Sequence, residues 1–263
     1  MTRKLWLLAV IGVLLACKAS ETAPREPGPL TPDPALQSAD LTADQLMARS
    51  AAARGGEEKL RALRSVKMTG TMATGEAGAA PILVAIEPGR YMRRIEQGPD
   101  ATMVQVVDGP ATWEVNPRNG IVKPTPMSER DAARYRRFAD PQGPLVNPQA
   151  KGAQVKVLGK MPWNGSQVYK TEVVFPDGGI HYVYLDATSF LPVRMVHKLY
   201  VPPLGKDIDV EFRYRDFRDV QGVKWPFVEE GSAPEVNFEQ TISWETVELN
   251  APLDGSLFQM KKD

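Results

Sequence analysis

The feature that most constrains this chain is the strict alternation at 207–214, where Asp207, Asp209, Glu211 and Arg213 are interleaved with Ile208, Val210, Phe212 and Tyr214. Successive side chains of a strand point to opposite faces. Such a run has one buried and one solvated face, as in an antiparallel sheet packed on one side only. The same reading extends along most of the chain. It predicts strands near 65–73, 81–87, 90–97, 101–107 and 110–116, and again near 153–160, 166–175, 179–186, 192–200, 207–216, 222–229 and 236–248. Turn signals such as Pro176-Asp177-Gly178-Gly179 fall at hairpin spacing.

Helical signals interrupt this pattern in two places. Thr42 and Gln45 have the spacing of a capping box, with Leu41 and Leu46 at staple spacing, and Gly55-Gly56 stops the helix that follows. A short second helix is expected from Glu57 to Leu63. Ser128-Glu129-Arg130-Asp131 opens a third, running to about Phe138 between Pro126 and Pro141. About eleven strands in one domain do not stay flat and open; they curl. The expected fold class is mainly β with α: a curled antiparallel half-barrel of about eleven strands whose concave apolar face is filled by helices or by a ligand.

The N-terminus reads as an export signal with an anchor. Arg3 and Lys4 precede an apolar run from Leu5 to Ala16, then Cys17. A spanning helix needs roughly 20 apolar residues, and this run has the size of a signal-peptide core. Leu14-Leu15-Ala16-Cys17 is similar to a bacterial lipobox. We therefore expect residues 1–16 to be removed and Cys17 to carry the lipid attachment. Cys17 is the single cysteine, so it has no internal disulfide partner, and lipidation accounts for it. Lys18 follows in place of the aspartate associated with inner-membrane retention, which favours the outer membrane, facing the periplasm. Residues 17–39 carry Pro24, Pro27, Pro29, Pro32 and Pro34 among few apolar residues. They read as a tether of roughly 60 Å if extended at about 3.1 Å per residue. Residues 40–263 remain for one well-buried domain.

Basic and acidic residues balance at 32 each, without the basic stripe that would point to nucleic acid. His181 and His197 are the only histidines, and no His-Glu-x-x-His, phosphate loop or Gly-x-Ser-x-Gly elbow occurs. We read both histidines as structural. No metal, cofactor or catalytic residue is expected, and a hydrolase on this scaffold is the weakest alternative.

Several motifs, in order, resemble the lipoprotein-sorting carriers of the LolA/LolB superfamily. They include Arg54-Gly55-Gly56 before Leu60, Pro88-Gly89-Arg90-Tyr91, Val106-Val107-Asp108-Gly109 and Thr112-Trp113-Glu114-Val115-Asn116-Pro117. Further on come Tyr184-Leu185-Asp186 with Leu191-Pro192-Val193-Arg194, Asp216-Phe217-Arg218 with Gly222-Val223-Lys224-Trp225-Pro226, and Asn250-Ala251-Pro252-Leu253-Asp254. The order of these pairs over about 42–260 carries the resemblance. It implies a half-barrel with helices over its concave side and acyl chains of lipids or lipoproteins held between them. It also implies that Arg90 bonds helical-lid backbone as a gating residue. Unlike the soluble carriers, this chain has its own anchor, as the outer-membrane receptor of that system does. An envelope-stress sensor or a module for a periplasmic protein partner is the alternative role on the same fold.

The candidate cavity residues are Tyr91, Met103, Val104, Val106 and Trp113 on strands, with Tyr135 and Phe138 on the third helix. Large apolar and polarizable side chains suit acyl chains because the contact is non-directional and sums by area. Alternation alone leaves open which face each strand residue occupies, and for any one of them plain core packing is the better reading. The third helix is the best candidate lid, since a short helix is marginal without packing. Its arginines, Arg130, Arg134, Arg136 and Arg137, read as a solvated face or as contacts for lipid phosphate.

Overall fold

The computed structural model describes residues 36–74, 78–98 and 101–260. The signal segment, Cys17 and most of the tether lie outside the described residues. Helices α1 (Ala43–Ala53) and α2 (Glu57–Arg61) come first. Strands β1 (Val66–Ala73), β2 (Ala79–Glu87), β3 (Arg90–Glu96), β4 (Thr102–Asp108), β5 (Ala111–Asn116) and β6 (Ile121–Pro126) follow, then α3 (Glu129–Arg136). The chain ends with β7 (Gln154–Trp163), β8 (Ser166–Val174), β9 (Ile180–Asp186), β10 (Pro192–Val201), β11 (Lys206–Val220), β12 (Val223–Ala233) and β13 (Phe238–Leu249).

All of these strands form one open antiparallel sheet in the order β6-β5-β4-β3-β2-β1-β13-β12-β11-β10-β9-β8-β7. The chain starts at the centre and meanders out to one edge at β6. It crosses to the opposite edge through the segment holding α3, then meanders back until β13 pairs with β1. The sheet has thirteen strands where about eleven are expected from sequence. β6, with sequence IVKPTP, goes unrecognised in the alternation because two prolines break it. Proline is tolerated there because β6 is an edge strand. At the other edge, Gln37 exchanges backbone hydrogen bonds with Lys160 at 2.7 and 2.8 Å, so the end of the tether lies along β7.

Register sorts the side chains onto two faces. One face carries Met68, Val84, Tyr91, Ile95, Val107 and Trp244, packed with Leu60 of α2, with Leu63 just after it and with Ala132 and Tyr135 of α3. It continues through Tyr169, Val173, Val183, Leu185 and Met195, packed with Leu46 of α1. Helices therefore cover this face from both halves of the sheet. The opposite face carries two further apolar clusters: Ala85, Met92, Val106 and Trp113, covered by Phe258 of the C-terminal segment, and Val168, Tyr182, Tyr184 and Val196 on β8–β10.

The sequence signals at the helix ends appear as bonds. Thr42 and Gln45 form both arms of the capping box. At Gly55 (φ +120°) an added Cβ would fall 2.0 Å from the Gly222 carbonyl oxygen, so α1 can dock against the β11–β12 turn only through a glycine. The Lys224 N–H closes that contact by donating to the Arg54 carbonyl at 2.9 Å.

Candidate functional site

The crossover helix α3 is positioned by its own sequence. Ser128 caps it, its hydroxyl accepting from the Asp131 N–H at 3.2 Å. Glu129 and Asp131 sit in the first turn and Arg134 and Arg136 in the last, as the helix dipole favours. Ala132 and Tyr135 form its buried side. Tyr135 stacks on Tyr91 of β3 with centroids 5.9 Å apart. The Arg130 guanidinium lies 3.9 Å over the Tyr200 ring of β10. The helix thus bridges the two halves of the sheet.

Its C-terminal end is tied on both sides. The Gly89 N–H, in the β2–β3 turn, donates to the Ala139 carbonyl at 2.8 Å. Arg137 pairs with Asp177, in the β8–β9 turn, at 2.9 Å. Gly179 makes room for that arginine: an added Cβ would sit 1.9 Å from the guanidinium carbon. These two turns are on opposite ends of strands seven steps apart in the sheet. A twist of roughly 20–25° per step rotates β8 by about 150° against β2, which brings opposite ends together at one mouth. Further along the crossover, the half-buried Arg54 donates to the Gln142 carbonyl at 3.2 Å, and desolvation lowers its pKa to about 10. Lys151 pairs with Asp140 at 2.7 Å. Beside α3 lies a groove of 430 Å³ whose walls include Pro88, Gly89, Ala133, Arg137, Lys151 and Phe175.

Beneath α3 the interior is rich in aromatic and methionine side chains, yet it holds polar groups with no protein partner. His181 and His197, each 1% exposed, lie side by side with ring centroids 5.4 Å apart. Nε2 of His181 and both ring nitrogens of His197 are buried and unpartnered, as are Nε of Arg93, Nε of Arg134, Oε1 of Gln105 and Nε1 of Trp225. Each such atom costs about 1–3 kcal/mol relative to a satisfied one. Burial holds both imidazoles neutral, His181 down to about 3 and His197 well below the usual range, with the arginines of α3 adding to the effect. Glu229 accepts from Trp244 Nε1 at 2.8 Å. Burial raises its carboxyl above the usual range, against the opposing effects of that bond and of Arg93.

The residues singled out from sequence divide between the faces. Tyr91 and Met103 lie on the helix-covered face with Tyr135 and Phe138. Phe138 touches Tyr91, His181 and His197 with centroids 6.3, 5.7 and 5.8 Å away. Val104, Val106 and Trp113 face the other way, against Phe258, and are not brought together with the first set. The register decides this: Val106 pairs with Met92 and Trp113, whereas Tyr91 pairs with Val107.

Arg90, expected from the resemblance to bond the helical lid, bonds Asp108 at 2.8 Å, Glu87 at 3.1 Å and the Gly255 carbonyl at 3.4 Å, and lies 4.2 Å over the Phe258 ring. Among the described residues it fastens the C-terminal segment. The arginine that does bond backbone of the crossover is Arg54, which sequence reasoning quoted only as part of a helix-end motif. Arg137, read from sequence as part of a solvated face or as a contact for lipid phosphate, pairs with Asp177 and makes the latch. The two histidines read as structural are the most completely buried polar pair in the interior. The signal in sequence was their place: His197 is in phase with Val193, Met195 and Leu199 of β10, and His181 sits within the continuous apolar run of β9. Cys17 lies outside the described residues. No three described His, Cys, Asp or Glu side chains gather as a metal site, and no described helix is long and apolar enough to cross a membrane.

An open antiparallel sheet wrapped over helices, with a helical strap at its mouth, defines a class of fold with solved counterparts. The protein is similar in structure to a LolA superfamily protein from Nitrosomonas europaea (TM-score 0.54, 13% identity, 83% of this chain and 98% of that one). It is also similar to an outer membrane lipoprotein-sorting protein domain from Vibrio parahaemolyticus (0.51, 10%, 82% and 95%). A third counterpart is a DUF1329 family protein from Desulfovibrio piger (0.55, 10%, 82% and 97%). These likenesses show a shared fold. No protein-family model matches the sequence, and no curated protein matches it.

Proposed function

We propose that this protein is a lipid-anchored envelope lipoprotein that holds lipid or lipoprotein acyl chains between its helix layer and the sheet. Its role would be lipoprotein sorting or transfer to the outer membrane. The observation that carries this reading is how the interior is covered. A broad face carrying Met68, Met72, Tyr91, Met103, Met195 and Phe212 is covered by short helices, of which the eight-residue α3 is held at its end by an ion pair and one backbone bond. A helix so short is not stable by itself. Lifting it exposes an apolar half-barrel without unfolding the sheet. Each buried CH₂ of an entering chain then contributes about 0.8 kcal/mol, which offsets the aromatic contacts that α3 gives up. The motion needs no chemistry, so the role is one of binding. Cys17, through its lipid, would hold the domain at the membrane while the tether sets its reach.

The test is native mass spectrometry of the chain from Lys18 onward, exported to a bacterial periplasm and purified without detergent. A co-purifying mass of phospholipid or acylated-peptide size is expected. A clean apo mass, with no uptake from added vesicles, would overturn the reading in favour of a protein-binding sensor. For the anchor, Cys17→Ser should move the full-length protein out of the lipid-modified membrane fraction. A variant that still carries the diacylglyceryl mass would refute lipidation at this residue.

A further inference from the structure

We infer that His181 and His197 form a polar subsite inside the acyl chamber that hydrogen-bonds the carbonyl end of an acyl chain, as a carboxylate or an ester, once Phe138 withdraws. The inference rests on the acyl-binding reading above and names the chemistry of what is bound.

Three observations lead to it. The first is the orphaned atoms. Three of the four imidazole nitrogens in this pair are buried and have no protein partner. Buried polar atoms are nearly always bonded, so a cluster of exceptions needs an explanation. Packing does not supply one. The rings touching the pair are Phe138, Phe175 and Phe212, and an apolar side chain at either position would suit those neighbours better.

The second is polarity. A neutral imidazole offers one N–H donor and one acceptor. The charged groups whose fields bear on the pair are Arg134 and Arg137, both cationic, in α3 and at its C-terminal end. Nε of Arg134 is itself buried without a partner. Donors dominate and the local field is positive, which suits an oxygen acceptor carrying full or partial negative charge.

The third is access. Phe138 connects the pair to the strap, with its ring against both imidazoles. Phe138 lies just beyond the end of α3, next to Arg137 of the latch. Phe175, 4.7 Å from His181, also lines the groove beside α3. Opening the strap at the Arg137–Asp177 pair would draw Phe138 off the histidines and join the groove to them. Phe138 then serves as a plug that an incoming chain replaces. An ordered water could bridge such nitrogens, and that case is an outcome of the test.

The experiment displaces a fluorescent hydrocarbon, diphenylhexatriene, from the chain from Lys18 onward, which retains the whole described fold. The competitors are palmitate, 1-palmitoyl-glycerophosphocholine and pentadecane. We expect palmitate or the ester to compete at least about tenfold better than pentadecane, and His197→Leu and His181→Leu to collapse that preference. Which of the two competes identifies the source as free acid or ester. Equal competition by all three would overturn this inference while leaving acyl binding intact. Failure of all three to bind would overturn the acyl-binding reading and this inference with it. Because the variants could fold poorly, the wild type is also labelled with ¹⁵N-histidine. Ring-nitrogen resonances of both residues should move on adding the preferred ligand. Resonances that stay fixed while ligand binds would show a pair satisfied by water alone, and would overturn the inference.

Discussion

At the scale of single residues, two predictions follow from burial. The unfolded histidines titrate near 6.5, whereas burial keeps His181 neutral down to about 3 and His197 neutral well below its usual range. Their folded pKa values are depressed, so the stability they allow is fully present above about pH 6.5. It is lost as pH falls below that value, because the unfolded state takes up protons that the folded state refuses. With two such groups, stability should fall by up to about 2.7 kcal/mol per pH unit below pH 6. Urea melts of wild type and of the His181→Leu/His197→Leu double variant check this. A double variant with the same acid slope would assign the loss to other groups. The second prediction concerns Gly55, where positive φ and the Gly222 carbonyl both exclude a side chain. Gly55→Ala should cost about 2–4 kcal/mol, read as a lowered urea midpoint, whereas Gly89→Ala has open space and should cost less through strain in φ alone.

At the scale of elements, α3 is the part whose stability is separable from the rest. The Ser128 cap is worth about 1 kcal/mol. Arg137–Asp177 is half-screened by solvent, with side-chain exposures of 15% and 35%, so its contribution stays within about 1 kcal/mol. Ser128→Ala and Asp177→Ala should therefore barely move the global midpoint. They should instead speed amide hydrogen exchange across Glu129–Arg136, with the exchange of β8 and β9 amides unchanged. Equal acceleration in strap and sheet would mean that α3 opens only by global unfolding, which would remove its role as a lid. The sequence placed this helix and its cap correctly because both signals are local. It also placed every strand but β6, whose prolines interrupt the alternation and whose edge position, visible only in three dimensions, makes them harmless.

At the scale of the whole molecule, the division of the sheet into two faces has a direct consequence. Trp113 is buried under Phe258 on the face away from α3, its indole N–H donating to the Phe258 carbonyl at 3.4 Å. Trp113→Ala should cost about 3–5 kcal/mol while the folded fraction takes up lipid as before. Tyr91→Ala, on the face beneath α3, should alter lipid uptake per folded molecule. Loss of uptake in Trp113→Ala and its retention in Tyr91→Ala would place the ligand on the wrong side of the sheet. Both residues were drawn from sequence as cavity candidates, and only one lies under the strap.

The difference follows from what each kind of information contains. Period two, capping spacing and paired glycines are local, so the sequence by itself determined an antiparallel sheet and its helices. Alternation says that Tyr91 and Met92 point opposite ways, but it carries no sign for which way is inward. That sign is set by where the crossover lies, and the crossover lies where it does because β13 returns to pair with β1, from Ala73 opposite Thr241 to Val66 opposite Leu249. The same closure, with the twist of the sheet, brings the β2–β3 and β8–β9 turns to one mouth. Only then do Arg137 and Asp177 become a latch, and only then do two histidines from neighbouring strands become a buried pair beneath Phe138.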